Sequence, residues 1–217
     1  MSRDMMPHFE LYQPDTIEGA LDLAKRIGPG AWFMAGGNDS LDWFKDRNKR
    51  PAAVIEIAGI KTLSGIRETP DGIEIGALTT LAQIERSGLI QEKYALLAKA
   101  AGRVASPQIR NSGTLGGNLC QDARCWYYRY GVSCYRAGGN MCYADTPEGM
   151  NREHCLFGAS RCVAVHGEVL EVVGHHPDHG HPPVAASWPA PRRDRSAAPT
   201  SPASLPIAAA TTEASVR

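Results

Sequence analysis

Gln108-Ile109-Arg110-Asn111-Ser112-Gly113-Thr114-Leu115-Gly116-Gly117-Asn118-Leu119 is one of two glycine-rich stretches that decide the reading of this chain. The other is Met34-Ala35-Gly36-Gly37-Asn38-Asp39-Ser40-Leu41. Glycine tolerates positive φ and lets a ligand come close to the backbone. Successive backbone N–H groups in such loops form concave nests for anionic oxygens. The first stretch follows the apolar run Ala31–Met34 and opens a helical turn over Ser40–Lys45. That context suits a pyrophosphate at a helix N-terminus. In the second stretch Thr114 offers a hydroxyl and Asn118 a side-chain amide. Neither stretch is G-x-G-x-x-G, and no Gly-Lys-Ser/Thr follows as in a Walker loop. Each alone reads as an ordinary tight turn. Two of them, with a cysteine cluster directly after the second, point to a bound group.

Upstream of the first loop, His8–Leu11 reads as a short strand. Asp15 and Glu18 are spaced as a capping box. Ile17, Ala20, Leu21 and Ala24 then share a helical face. Gly28-Pro29-Gly30 ends that helix. Ala53–Ile57 has the composition of a buried strand. The order strand, helix, strand, glycine loop, helix, strand predicts an α/β subdomain over residues 1–60. Residues 61–166 read as a second, α+β subdomain. Leu63–Glu68 and Gly72–Gly76 pair about Pro70-Asp71-Gly72. Thr80 and Gln83 give a second capping box, opening a helix to about Arg86. Tyr94, Leu97, Ala98 and Ala101 mark a further helix, closed by Pro107. Cys162–Val165 resumes a strand pattern. The overall fold class is α+β.

All six cysteines, Cys120, Cys125, Cys134, Cys142, Cys155 and Cys162, lie between 119 and 162. This segment has weak apolar periodicity, and structureless loops of such length in compact domains are usually functional or disordered. The spacings of 5, 9, 8, 13 and 7 contain no C-x-x-C pair of the kind typical of structural zinc. They are also unlike tight ferredoxin runs. Soft thiolates suit zinc or an iron–sulfur cluster, and spacing leaves the two undecided. A disulfide scaffold is disfavoured, because such chains are short, secreted and cysteine-rich throughout.

The 23 basic and 23 acidic side chains cancel, which disfavours a nucleic-acid binder with a broad basic surface. No run approaches the roughly 20 apolar residues of a membrane span. Met1–Tyr12 has no signal-peptide core, so a cytoplasmic location is expected, with export alongside a folded partner left open. Eight of the 15 prolines fall after Gly167. The segment 167–217 reads as a disordered tail, too poor in apolar surface to offset chain entropy. His175, His176, His179 and His181 fit a solvated tail better than a metal site.

Met34–Leu41 resembles the first flavin-binding loop of the FAD-binding (medium) subunit of molybdenum hydroxylases, the xanthine dehydrogenase and carbon monoxide dehydrogenase family. Gln108–Leu119 resembles that family's second loop. The resemblance covers about residues 8–166. It implies a vanillyl-alcohol-oxidase-like (PCMH-type) fold with FAD between the two subdomains. It places Met34, Ala35, Gly36, Gly37, Asn38, Asp39, Ser40, Leu41, Ile109, Ser112, Thr114, Gly116, Gly117 and Asn118 at the cofactor. Asn38 stands where the family usually has Thr, and both side chains hydrogen-bond phosphate oxygens. It also implies two partners, a molybdopterin-binding large subunit and a small subunit with [2Fe–2S] clusters. Both loops then reach one pyrophosphate, so they should face each other.

The cysteine segment resembles the branch containing 4-hydroxybenzoyl-CoA reductase and periplasmic aldehyde oxidoreductases, whose FAD subunit carries an extra [4Fe–4S] cluster. The matching elements are Arg124-Cys125-Trp126-Tyr127-Tyr128, Cys134, Cys142 and Arg161-Cys162-Val163-Ala164. The resemblance therefore makes Cys125, Cys134, Cys142 and Cys162 the ligands and leaves Cys120 and Cys155 outside. Trp126, Tyr127 and Tyr128 either line a cofactor or pack the loop. After His166 the chain reads Gly167-Glu168-Val169, where the family continues with a Pro-Ser-Asp element and a further α+β domain. A truncated or frame-shifted C-terminal part, an exposed sheet edge and weak FAD retention are expected from that departure. The resemblance thus reads as an oxidoreductase subunit, passing electrons between iron–sulfur clusters and FAD, with no side chain acting as catalytic acid or base. The competing readings are a zinc-stabilised binding module without redox function and a non-functional fragment.

Overall fold

A computed structural model describes residues 6–152, 154–155, 161–164 and 215–216. The expectations for 167–214, including the four tail histidines, lie outside the described residues.

The N-terminal part is built on a three-stranded parallel sheet. β1 (Glu10–Tyr12) and β2 (Ala31–Met34) flank β3 (Ala53–Glu56) in the order β1-β3-β2. β3 is covered on both faces, which is why it reads as a continuous apolar run. Ile55 joins a core with α1 (Ile17–Ile27), while Val54 joins one with Trp43 and Phe44 of α2 (Asn38–Lys45). Ile17, Ala20, Leu23, Ala24 and Ile27 form the packed face of α1. Leu23 takes the place expected of Leu21, at an i, i+3, i+4 spacing from Ala20 and Ile27. The cap of α1 is Thr16, whose hydroxyl accepts from Gly19 N–H, so the expected Asp15–Glu18 box does not form and the cap lies one residue later.

Beyond residue 60 the chain forms the hairpin β4 (Ile66–Thr69) and β5 (Gly72–Ile75), antiparallel and joined through Pro70-Asp71. The Thr80–Gln83 capping box forms and opens α3 (Leu81–Arg86). α4 (Gly88–Lys93) and α5 (Ala95–Arg103) come next and pack with α3 against β5 around Ile73, Ile75, Ile84, Ile90 and Ala101. Pro107 does not close α5, which ends at Arg103. It occupies the first turn of a new helix, α6 (Pro107–Ser112), where its missing N–H costs nothing. The second glycine stretch is therefore largely helical: α6, a link at Gly113-Thr114, then α7 (Leu115–Leu119).

The cysteine segment holds one helical turn, α8 (Trp126–Arg129), and a short 3-10 turn at Tyr135–Ala137. The strand expected over 162–165 is reduced to a single antiparallel bridge between His154 and Ala164. Ser215–Val216 forms β6 on the free edge of β5. The edge of β5 expected to be bare is paired at Ile73 and Glu74, since a β-edge offers a row of unpaired backbone groups to any nearby strand. No described helix is long and apolar enough to cross a membrane.

Candidate functional site

The two glycine loops touch. A Cβ added to Gly36 would lie 1.9 Å from the Ser112 carbonyl oxygen and 3.4 Å from Gly113 N. No side chain fits between the loops, so glycine is required there. Across the junction, Ser112 Oγ donates to Asn38 Oδ1 at 3.2 Å, and Asn38 Nδ2 donates to the Ile109 carbonyl at 3.4 Å. Asn38, the residue that departs from the family pattern, thus joins the loops. The contact runs through Ser112-Gly113. Gly116 packs instead on Ala77, 3.0 Å from its carbonyl oxygen to an added Cβ.

The loops differ in what they leave open. Helices α1, α3, α4, α6 and α7 begin with a hydroxyl cap, from Thr16, Thr80, Ser87, Ser106 and Thr114. Helix α2 begins at Gly37, in the left-handed region with φ 78°, and no side chain caps it. The N–H groups of its first turn therefore point out of the helix without an intrahelical acceptor. In the second loop the amides of residues 115–118 are already committed. Leu115 N donates to Thr79 O, Gly116 N to Ala77 O, Gly117 N to Thr114 Oγ1 and Asn118 N to Thr114 O. Thr114 thus serves as a helix cap, and of the helices that begin in these two loops only α2 starts without a side-chain cap. Asn118 Oδ1 is buried without a hydrogen-bond partner, an acceptor awaiting a donor. Leu41, Ile109 and Leu119, all in these stretches, are among the exposed large apolar side chains.

The cysteines fall into separate surroundings. Cys125, Cys134, Cys142 and Cys162 line one small pocket, with Tyr127, Tyr128, Tyr135, Arg136, Tyr143 and alanines. All six cysteines are free thiols. A backbone bond from Tyr135 N to Met141 O (3.0 Å) folds the turn that brings Cys134 and Cys142 to this pocket. Gly139 makes that turn possible, since a Cβ there would lie 2.1 Å from Ser133 O. Cys155 N donates to Val163 O at 3.0 Å, beside the His154–Ala164 bridge. Residues opposite one another across such a pair share a face, and faces alternate along the strand. Cys155 therefore lies on the face of Val163, and Cys162 and Ala164 lie on the other. Among the described residues, no three His, Cys, Asp or Glu side chains are grouped to hold a single metal ion.

A polar clamp missed in the sequence ties this segment to α2 and the loop that follows it. Its centre is Asp122, with about a quarter of its side chain exposed (23%). Arg136 donates to Asp122 Oδ1 from Nε (3.0 Å) and Nη2 (2.5 Å), and Tyr128 Oη donates to Oδ2 at 2.9 Å. Lys49 Nζ lies 3.4 Å from Oδ2 and donates to Tyr128 Oη at 2.8 Å. Burial pushes the Asp122 carboxyl upward, but the Arg136 and Tyr128 hydrogen bonds and the Arg136 charge outweigh it and hold it below the usual carboxylate range. Tyr128 packs on the buried Trp43 ring, 5.4 Å between centroids. Arg129 lies 5.4 Å over that same ring, and its carbonyl accepts from Asn48 Nδ2. Arg124 Nη2 reaches Asp39 Oδ1 at 2.6 Å, joining the cysteine segment to the first glycine loop. Tyr128 thus packs the loop and lines the pocket at once. Trp126 stays 48% exposed. No periodicity or spacing announces such a clamp. The only signal is the unusual density of charged and aromatic residues among the cysteines.

Two touching glycine loops on an α+β scaffold, one with an uncapped helix start, are the frame of a dinucleotide-binding domain. The chain belongs to the family described as the FAD binding domain in molybdopterin dehydrogenase, which matches residues 7–168. It is 44% identical over 117 residues to the nicotinate dehydrogenase FAD-subunit of Eubacterium barkeri, a match covering 52% of this chain and 39% of the relative. It is 37% identical over 171 residues to the aldehyde oxidoreductase FAD-binding subunit PaoB of Escherichia coli, covering 77% of this chain and 52% of that one. Among solved structures it resembles carbon monoxide dehydrogenase of Hydrogenophaga pseudoflava lacking the Mo-pyranopterin moiety, at TM-score 0.52 and 37% identity, over 53% of this chain and 40% of that one. The chain thus spans between about two-fifths and half the length of these relatives.

Proposed function

We propose that this chain is the FAD-binding, electron-transferring part of a molybdenum hydroxylase complex, with a vanillyl-alcohol-oxidase-like (PCMH-type) fold and an additional [4Fe–4S] cluster on Cys125, Cys134, Cys142 and Cys162. The observation that carries the flavin half is the junction of the two loops beside an uncapped α2. Backbone donors of the first loop at Gly37–Ser40 suit a pyrophosphate, which the positive end of a helix also favours. Asn118 Oδ1, unpartnered, would take a donor of the cofactor, and the exposed Leu41, Ile109 and Leu119 would offer it apolar surface. Bound FAD supplies the electron chemistry, and these residues bind and orient it.

The cluster half rests on the donor set. Four thiols of one polar segment line one pocket, and the two remaining cysteines do not. Zinc takes the same soft thiolate ligands, so metal and sulfide content separates the two. The long match to the aldehyde oxidoreductase subunit supports the same branch, since a match over 77% of the chain extends across the cysteine segment. The relatives are named FAD-subunits and medium chains, which supports partners of the molybdopterin-binding large and [2Fe–2S] small types.

Anaerobic purification tests both halves. Flavin absorbance and about four iron and four sulfide per chain are expected. Zinc without flavin or sulfide would favour the binding-module reading. Within this test, Cys142→Ser is expected to abolish the iron–sulfur absorption, and Cys155→Ser to retain it. Cluster loss in the Cys155 variant would reassign the ligands.

A further inference from the structure

Arg136 lines the four-cysteine pocket, whereas its partner Asp122 does not. Arg136 thus joins the Asp122 carboxylate to the pocket that the thiols line. Its Nε and Nη2 are taken by Asp122, and its Cζ lies 5.5 Å over the Tyr128 ring. Nη1 has no hydrogen-bond partner among the described residues. Tyr128 is held in turn by Lys49 and by the Trp43 ring. The Asp122 charge is shared with Lys49, so the group of Lys49, Asp122 and Arg136 carries one net positive charge. Arg136 also comes two residues after Cys134, within the turn that Gly139 and the Tyr135–Met141 bond fix. Its position is set from two sides, by backbone and by carboxylate.

We infer that Arg136 sets the reduction potential of the group held by Cys125, Cys134, Cys142 and Cys162, with Asp122 as the positioning residue that keeps the guanidinium against it. This rests on the [4Fe–4S] reading above. Four thiolates give such a cluster a net negative charge that grows on reduction. A fixed cation and an N–H donor to sulfur stabilise the reduced state more than the oxidised one. Net charge and hydrogen bonds to sulfur are the protein's levers on cluster potential. Arginine stays charged at every working pH and its planar fork is locked by the carboxylate, so the effect is built in.

The test uses the full chain, anaerobically purified with its cluster, and tracks the redox titration by visible absorption and electron paramagnetic resonance. Iron and sulfide content is measured first. Arg136→Gln and Arg136→Met remove the charge, the second keeping an apolar stem against Tyr128. Both are expected to keep iron and sulfide and to shift the reduction equilibrium toward the oxidised cluster about tenfold, about 59 mV for a one-electron couple. Arg136→Lys is expected to restore part of the shift. Intact clusters with unchanged potential in both neutral variants overturn the inference and leave the cluster reading standing. Failure of the unaltered chain to hold iron and sulfide overturns that reading and the inference with it.

Discussion

Gly36→Ala is expected to damage both folding and flavin binding, and to do so far more than alanine at most other glycines. The added Cβ would meet the Ser112 carbonyl oxygen at 1.9 Å and its carbon at 2.8 Å. The obstacle is backbone at the end of α6, not a side chain that can rotate away. Overpacking typically costs about 1–3 kcal/mol, and a clash with backbone belongs at the upper end. The loops must separate, which breaks the Asn38 bonds to Ser112 and Ile109. Gly59→Ala is the control, since nothing lies within 4 Å of its added Cβ. Gly37→Ala falls between them. It meets no backbone, but a φ of 78° costs an L-residue about 1–2 kcal/mol. Denaturant unfolding and flavin titration of the three variants check the order. A Gly36→Ala chain as stable as Gly59→Ala, with unchanged flavin affinity, would contradict the loop junction.

Asp122→Ala is expected to be the most damaging single change in the cysteine segment outside the four pocket cysteines. It removes the acceptor of Arg136 and Tyr128 and the counter-charge of Lys49, all partly buried. Breaking a buried pair by deleting one partner costs about 3–5 kcal/mol. Side chains 23% to 29% exposed retain some water, which lowers the expected cost to about 2–3 kcal/mol. The loss is local. Limited proteolysis is expected to cut between Asp122 and Arg136 much faster in the variant, while β1, β2 and β3 keep their protection. Equal cleavage rates for variant and parent would show that the clamp contributes little.

Much of the scaffold was legible in the chain. β3 was readable because a buried parallel strand is a continuous apolar run, and the half-buried β2 because it too is apolar throughout. The Thr80–Gln83 box was readable because its chemistry is local. Pro107 misled because proline both ends helices and begins them, and the residues on its C-terminal side decide which. The site was legible where glycine is demanded by close approach, at Gly36, but not in how hydrogen bonds are shared. That the second loop spends its amides on Thr79, Ala77 and Thr114 is set by tertiary neighbours that spacing does not encode. Spacing left the cysteine ligands open as well. The family resemblance divided the cysteines where spacing could not, and the Tyr135–Met141 turn and the Cys155–Val163 pairing place the same four about one pocket. Asp122 was silent for the same reason, since its partners lie 73 residues upstream at Lys49 and 14 downstream at Arg136.

Helix α2 belongs to two neighbourhoods. Its first turn opens at Gly37, while Asp39, Asp42 and Trp43 hold Arg124, Arg129 and Tyr128 of the cysteine segment. If the two proposed sites are both filled, one element carries two binding equilibria, and these are thermodynamically linked. Any occupant that orders the cysteine segment narrows the positions open to α2 and lowers the entropy still to be lost at its first turn. The coupling is reciprocal, so whatever one occupant gains from the other is returned in equal measure. Order of loading then becomes a matter of kinetics alone, because the doubly occupied state has the same free energy by either route.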